Sequence, residues 1–95
     1  METTLHLRIS GHVQGVGYRA TLRSEAVALG LRGWVRNRVD GTVEAVLQGN
    51  SEAVEHVLAW SKQGPPGARV LSVSAQSAQG ETDRAHTGFH LLPTR

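Results

Sequence analysis

A stretch of nine residues, GHVQGVGYR at positions 11–19, combines glycines and an arginine in a pattern that suits anion binding. It lies between a segment with strand-like alternation and a segment with helical spacing. Backbone N–H groups at the start of a helix lack partners and bind anions, and glycines allow turns in which such groups converge. The guanidinium of Arg19 offers donors that match phosphate oxygens. The pattern therefore predicts a phosphate-binding loop formed by Gln14, Gly15, Val16, Gly17, Tyr18 and Arg19.

The same spacing also fits a plain connector, in which Gly15 and Gly17 serve a tight turn and Arg19 is solvated. Known phosphate motifs do not decide between the two interpretations. The stretch lacks the Gly-Lys-Ser/Thr ending of a Walker loop and the third glycine of a dinucleotide fingerprint. The chain contains no cysteine, which excludes a cysteine nucleophile, a disulfide and a thiolate metal site.

Hydrophobic spacing predicts the elements that hold this stretch. Leu5, Leu7 and Ile9 alternate with polar residues and indicate a strand before it, while apolar residues recur at helical spacing from Tyr18 until Gly30. Two strands follow at residues 31–37 and 42–48, joined by an Asp-Gly turn, and then a helix capped by Asn50 or Ser51. The next strand has Leu71, Val73 and Ala75 on its buried face. A mobile polar loop at residues 79–87 and a short strand with Phe89 and Leu91 complete the chain.

The order of these elements is typical of an α+β, ferredoxin-like fold. This is a split β-α-β sandwich in which two helices cover one face of an antiparallel sheet. The other face would be open and would carry Arg8, Arg32 and Arg36 by parity. No repeat, linker or low-complexity segment interrupts the chain, so we expect residues 1–95 to form a single domain. Because this fold hosts many functions, it does not select one.

Composition and the N-terminal sequence give expectations about the cellular compartment and the binding partners of the protein. The net charge is +2, and Lys62 is the only lysine among ten basic residues. Such a surface permits anionic partners without choosing among them. The N-terminus lacks the basic start and apolar run of a signal peptide, and no apolar run approaches the roughly 20 residues of a membrane span. We expect a monomer in the cytoplasm that does not bind membranes.

Two segments resemble the signatures of the acylphosphatases. Residues 9–19, ISGHVQGVGYR, resemble the first signature, and residues 33–49, which begin GWVRNRVDGTVE, resemble the second. The two stand in the expected order, and the resemblance extends over nearly the whole chain. Tyr18 departs from the family, where phenylalanine or methionine is more usual, although an aromatic ring is retained. The tail from Phe89 to Arg95 matches less clearly.

The resemblance implies hydrolysis of acyl phosphates, small molecules such as acetyl phosphate, without a metal or cofactor. It also implies that Arg19 binds the phosphoryl oxygens together with backbone amides of the preceding loop, and that Asn37 positions the attacking water. An arginine, backbone amides and an asparagine suffice for this hydrolysis, because the leaving carboxylate has a conjugate acid of pKa roughly 4 to 5 and needs no general acid. An amide both donates and accepts hydrogen bonds, as holding a water requires.

Other interpretations remain open at this point. Asn37 stands before a turn, where asparagine is common for purely structural reasons. His12 resembles a catalytic base, but the family tolerates varied residues there. The chain could also be a non-catalytic anion-binding or accessory module of the same family. RNA binding would need aromatic residues on the central strands, yet only 4% of the chain is aromatic. We therefore expect no nucleic-acid partner.

Overall fold

The computed structural model describes the backbone of residues 1–95 and every side chain except that of Glu81. Five strands form one sheet in the order β4-β1-β3-β2-β5. The elements are β1 (Glu2–His12), α1 (Tyr18–Ala28), β2 (Arg32–Asn37), β3 (Val43–Asn50), α2 (Ser51–Ser61), β4 (Arg69–Ser77), a short 3-10 helix (Gly80–Asp83) and β5 (Phe89–Leu91). The predicted ferredoxin-like fold is confirmed. Its first four strands pair antiparallel, whereas β5 pairs parallel with β2 and makes the sheet mixed.

The core lies between the sheet and the two helices. Alternate residues of the central strands are fully buried, including Leu7 and Ile9 of β1 and Leu47 of β3. They share one cluster with Leu22 of α1 and Val57 of α2, so both helices cover the same face of the sheet. Because side chains alternate across a strand, the residues between them project to the other side, which we call the outer face.

The first helix begins and ends at glycines. Gly17 precedes it in a left-handed conformation. At its C-terminus, the Leu31 N–H donates to the Ala26 carbonyl (2.9 Å) and the Gly30 N–H to the Val27 carbonyl (3.0 Å). This pattern, with Gly30 at a φ of 73°, is a Schellman motif. The predicted stop at Gly30 is therefore confirmed, although the helix ends two residues earlier, at Ala28.

The second helix begins at a side-chain cap. Asn50 Oδ1 accepts a hydrogen bond from the Glu52 N–H at 2.9 Å, so Asn50, and not Ser51, is the N-cap. Glu52 lies in the first turn, where the positive end of the helix dipole stabilises a negative charge. Both helices contain 11 residues. No helix in the described chain is long and apolar enough to cross a membrane.

The prediction that Leu71 lies on the buried face of β4 is wrong, since this side chain is 82% exposed. The register between β1 and β4 shifts between Ser10 and Gly11, so that Gly11 pairs with Val70 and Ser10 with Ser72. A bulge of this kind leaves one residue unpaired and reverses the alternation on either side of it. Val70 and Val73 therefore pack against the core instead.

The outer face is less open than its sequence suggests. The alternate residues Glu44, Val46 and Gln48 of β3 project there, yet all three are buried. The segment 79–87, predicted as a mobile loop, is bound to this face through Gln48. Gln48 Nε2 donates to the Arg84 carbonyl at 2.7 Å, and Gln48 Oε1 accepts from the His86 N–H at 2.8 Å. One buried amide thus fastens this segment to the sheet.

The three arginines expected on the outer face each pair with a carboxylate. Arg8 contacts Asp40 at 3.3 Å, Arg32 contacts Glu2 at 2.8 Å, and Arg36 contacts Glu44 at 2.8 Å. The first two pairs are well exposed, and such pairs contribute little to stability. The third is the most buried, because the Glu44 side chain is only 7% exposed.

Glu44 is the centre of a charged network on this face. Burial by itself raises the pKa of a carboxyl group, but hydrogen bonds from His6 (2.6 Å) and Arg36 (2.8 Å) favour the charged form of Glu44. The result is a pKa below its ordinary value of 4.5. A carboxyl group whose pKa is lower in the folded chain stabilises the fold above its unfolded pKa. That stabilisation is lost as the pH falls through the folded pKa.

We therefore expect the unaltered chain to lose more of its free energy of unfolding than a Glu44→Gln variant when the pH falls from 6 to below 4.5. Urea unfolding followed by circular dichroism at each pH measures this difference. Glu55→Gln, which removes an exposed carboxylate from α2, controls for the loss of one negative charge. Equal slopes in the unaltered chain and in Glu44→Gln would contradict the stabilising role of the network.

Candidate active site

The predicted loop and the end of β2 meet at one edge of the sheet. β1 and β2 both pair antiparallel with β3, so they run parallel to each other on either side of it. Val43, the first residue of β3, pairs with Ile9 on one side and with Asn37 on the other. Asn37 shares the parity of Val35, which is fully buried. Its side chain therefore projects to the helix face, where α1 begins.

A small cavity of about 140 Å³ opens at this edge. It brings Arg19 and Asn37 together with both loop glycines, as the sequence predicted. The residues that line it are Val13, Gly15, Gly17, Tyr18, Arg19, Ala20, Asn37 and Leu91. The volume lies below the roughly 300 Å³ at which pockets for drug-sized ligands begin. It suits a compact chemical group better than a whole metabolite.

Two glycines shape the backbone of the loop before α1. Gly15 and Gly17 have φ values of 77° and 79°, in the left-handed region that residues with a Cβ seldom adopt. A Cβ built on either glycine would meet no heavy atom within 4 Å. The backbone angle, and not a lack of space, therefore requires glycine at these two positions.

The partial positive charge at the N-terminus of α1 is not compensated by the residues of its own first turn. Gly17 offers no side-chain cap, and the first turn contains no acidic residue. The first hydrogen bond inside the helix runs from the Thr21 N–H to the Gly17 carbonyl at 3.1 Å. The N–H groups of Tyr18, Arg19 and Ala20 precede it, and all three residues line the cavity. This end of the helix presents unpaired donors and partial positive charge to whatever binds there.

Arg19 differs from Arg8, Arg32 and Arg36 in having no carboxylate partner among the described side chains. Its side chain is half-buried. It makes no hydrogen bond or ion pair with any side chain that the structure describes. Arg8, Arg32 and Arg36 are each neutralised by an acidic residue. The charge of Arg19 therefore remains available to a ligand in the cavity.

Asn37 also lines this cavity. It ends β2, and its backbone carbonyl accepts from the Arg95 N–H at 3.1 Å. Its side-chain Oδ1 is buried and has no hydrogen-bond partner within the described part of the chain. Leaving a buried polar atom unpaired costs about 1–3 kcal/mol. A molecule bound in the cavity that Asn37 lines would relieve this cost.

Gln14 and Val16 belong to the loop but do not line the cavity. The Gln14 Nε2 group donates to the Arg38 carbonyl at 2.8 Å and to the Thr42 carbonyl at 2.9 Å. It thereby fastens the loop to the turn that follows Asn37. Val16 is partly buried and packs against the core. The side chains of these two residues hold the shape of the loop, and their place in the predicted phosphate-binding loop stays a prediction.

Tyr18 contributes to the cavity wall, but its hydroxyl group is engaged elsewhere. The Tyr18 O–H donates to the Ser61 carbonyl at 2.7 Å, at the last residue of α2. Its ring lies 5.4 Å from that of Trp60, centroid to centroid. Burial raises the pKa of Tyr18, and the hydrogen bond to Ser61 offsets this only in part. The hydroxyl group therefore joins the two helices and is unsuited to proton transfer.

The remaining polar candidates lie elsewhere. His12 is exposed and does not line the cavity, so the structure gives it no place as a base. Among the described residues, no group of three or more histidine and acidic side chains could hold a metal ion. The apolar residues Val13, Ala20 and Leu91 do line the cavity and were not predicted. Val13 and Ala20 adjoin the motif, but Leu91 arrives through the parallel pairing of β5, which no local signal indicates.

A model of the protein family described as Acylphosphatase matches residues 5–91 of this chain. The chain belongs to the acylphosphatase family. A protein named acylphosphatase from Thiobacillus denitrificans is 56% identical over 86 residues, which cover 90% of this chain and 92% of that relative. The resemblance inferred from the two sequence signatures is thus confirmed.

Solved structures of acylphosphatases share the fold closely. The acylphosphatase of Coxiella burnetii superposes with a TM-score of 0.87 at 35% identity, covering 96% of this chain and 93% of that one. The acylphosphatase of Bacillus subtilis gives a TM-score of 0.87 at 32% identity, covering 97% of this chain and 99% of that one. The acylphosphatase relationship therefore covers sequence and fold over nearly the whole chain.

Proposed function

We propose that this acylphosphatase-family protein hydrolyses the carboxyl-phosphate bond of acyl phosphates, releasing a carboxylate and inorganic phosphate. The observation that carries the proposal is the pairing of two unsatisfied groups in one small cavity. Arg19 brings a positive charge without a carboxylate partner, and Asn37 brings a buried acceptor without a donor. An anion fits the first group and a water molecule fits the second.

The loop and Arg19 bind the phosphoryl group in this proposal. Unpaired N–H groups at the start of α1 contact its oxygens, and the Arg19 guanidinium closes over them from the side. Phosphoryl transfer depends chiefly on positioning and on stabilising charge at the equatorial oxygens. Backbone amides held by Gly15 and Gly17 are preorganised for that task, because their orientation does not change during the reaction.

Asn37 positions the attacking water. Its Oδ1 accepts a hydrogen bond from the water and holds one oxygen lone pair toward phosphorus, in line with the leaving carboxylate. The phosphate of the substrate takes the proton as the new P–O bond forms and the bond to the carboxylate oxygen breaks. No general acid is needed, since the leaving group is already stable as an anion at neutral pH. This agrees with a cavity lining that contains no acidic residue or histidine among the described side chains.

A non-catalytic anion-binding module is the second candidate. Such a module needs only the loop and Arg19. A buried acceptor oxygen at Asn37 does not help to bind an anion, because it carries the same sign of partial charge. It helps only if a donor such as water is bound beside the anion. Asn37 therefore favours the hydrolytic function over simple binding.

We also propose that the chain acts as a single-domain monomer in the cytoplasm, without a nucleic-acid partner. The support is its lack of cysteine, which suits a reducing compartment, and a site assembled entirely from this one chain. Sedimentation at micromolar concentration tests the monomer, and a stable dimer would contradict it.

The purified chain should hydrolyse acetyl phosphate and benzoyl phosphate in the presence of a metal chelator. Ordinary phosphomonoesters should remain nearly untouched, because their alkoxide leaving groups need protonation that this cavity does not provide. Release of inorganic phosphate measures both reactions. A folded chain without activity on either acyl phosphate would refute the hydrolytic function. The non-catalytic anion-binding module would then be the remaining candidate.

Substitutions of Arg19 and Asn37 should separate binding from turnover. Arg19→Ala should weaken inorganic phosphate binding and lower kcat, on the order of 10³-fold, because one residue serves both steps. Asn37→Ala should lower kcat by roughly 10²-fold, the scale of one lost transition-state contact. It should change the Kd for phosphate by less than about threefold, since water and not phosphate contacts the amide. Steady-state kinetics and calorimetry measure these quantities.

Two control variants match these substitutions. Arg69→Ala removes an exposed arginine that does not line the cavity and should leave both constants unchanged. Asn50→Ala removes the only other asparagine, the cap of α2, and should cost about 1 kcal/mol of stability without changing kcat. Equal losses of phosphate affinity and kcat in Asn37→Ala would overturn the water-positioning role.

A further inference from the structure

A second, larger cavity lies on the outer face of the sheet. Its volume is about 410 Å³, within the range of small-molecule sites. It shares no lining residue with the cavity at Arg19. The residues that line this outer pocket are Trp34, Arg36, Glu44, Thr82, Arg84, Leu92 and Arg95.

Positive charge exceeds negative charge in the outer pocket. Glu44 is its one acidic side chain among the described residues, and its charge is already shared by His6 (2.6 Å), Arg36 (2.8 Å) and Arg38 (3.4 Å). Arg84 and Arg95 make no hydrogen bond or ion pair with any described side chain. Two arginines without a partner among the described side chains therefore line the outer pocket beside a carboxylate whose charge is already shared.

The backbone holds both of these arginines beside the sheet. The carbonyl of Arg84 accepts from Gln48 Nε2 at 2.7 Å. The Leu92 N–H donates to the Val35 carbonyl at 2.9 Å, and the Arg95 N–H donates to the Asn37 carbonyl at 3.1 Å. Each of these arginines thus has a backbone group, or a neighbouring one, that is hydrogen-bonded to the sheet. The outer pocket is built by tertiary contacts and is not a chance cluster of surface charges.

Trp34 contributes an aromatic ring to the outer pocket. The Arg36 guanidinium carbon lies 4.8 Å from the centroid of the Trp34 ring, a cation–π geometry. Arg36 also bonds Glu44 through Nε, so its orientation is fixed by two partners. The lining of the outer pocket thus combines this fixed Trp34–Arg36 pair with Arg84 and Arg95.

We propose that the outer pocket is a second anion site, distinct from the cavity at Arg19, and that it binds small molecules carrying a diphosphate group. Two guanidinium groups without carboxylate partners among the described side chains match a ligand with two anionic centres better than they match a single phosphate. Inorganic pyrophosphate and a nucleoside diphosphate share this chemistry. The nucleoside diphosphate adds a ribose and a base to this group, and the base provides a surface that can contact the Trp34–Arg36 pair.

Tryptophan fluorescence tests the proposal directly. The chain contains two tryptophans, so a Trp60→Phe variant reports from Trp34 alone. Pyrophosphate and adenosine diphosphate should each change its emission saturably at fixed ionic strength. Adding Arg84→Gln and Arg95→Gln should weaken both responses at least tenfold. Adding Lys62→Gln and Arg69→Gln, which removes the same charge outside the outer pocket, should change them by less than twofold.

Arg19→Ala in the same background separates the two cavities. The response of Trp34 should persist in this variant, because Arg19 does not line the outer pocket. Loss of the response in Arg19→Ala, with retention in the Arg84 and Arg95 double variant, would overturn the proposal. So would the absence of a response to pyrophosphate together with the absence of calorimetric binding to the unaltered chain. Tighter binding of the nucleoside diphosphate than of pyrophosphate would support the role of Trp34.

Discussion

The parallel course of β1 and β2 on either side of β3 is the constraint on which the site depends. It brings the ends of two strands that are distant in sequence to one edge of the sheet. The loop that follows β1 leads into α1, and Asn37 ends β2. Gln14 then spans the turn between β2 and β3 and fixes the loop against it. Without this arrangement, Arg19 and Asn37 would be two unrelated polar residues.

The distribution of charge distinguishes Arg19 from the three arginines that were expected on the outer face. Arg8, Arg32 and Arg36 share the side-chain type of Arg19, yet each has a carboxylate within 3.3 Å. Acidic residues are instead lacking in the first turn of α1 and among the described residues that line the cavity. A site for an anion requires this local imbalance, because a neighbouring carboxylate would compete for the same donors.

Sequence patterns predicted the elements well where local and tertiary forces agree. The caps at Gly30 and Asn50 follow from backbone chemistry within a few residues, and the structure contains both. The patterns failed where a distant strand decides the outcome. Leu71 fits the alternation of β4, but the bulge opposite Gly11 turns it outward. The alternation of one strand contains no information about the register of its partner.

By itself, the sequence determined the fold class, the glycine loop and the identity of Arg19 and Asn37 as candidate residues. These rest on local spacing and on two long signatures that stand in a fixed order. Only the tertiary structure decided that Gln14 fastens the loop, that Tyr18 joins the two helices, and that Leu91 completes the cavity wall. The physical reason is that the direction of a side chain depends on the strands and helices packed around it. Those neighbours are set by pairing and register, which residue types along one segment do not encode.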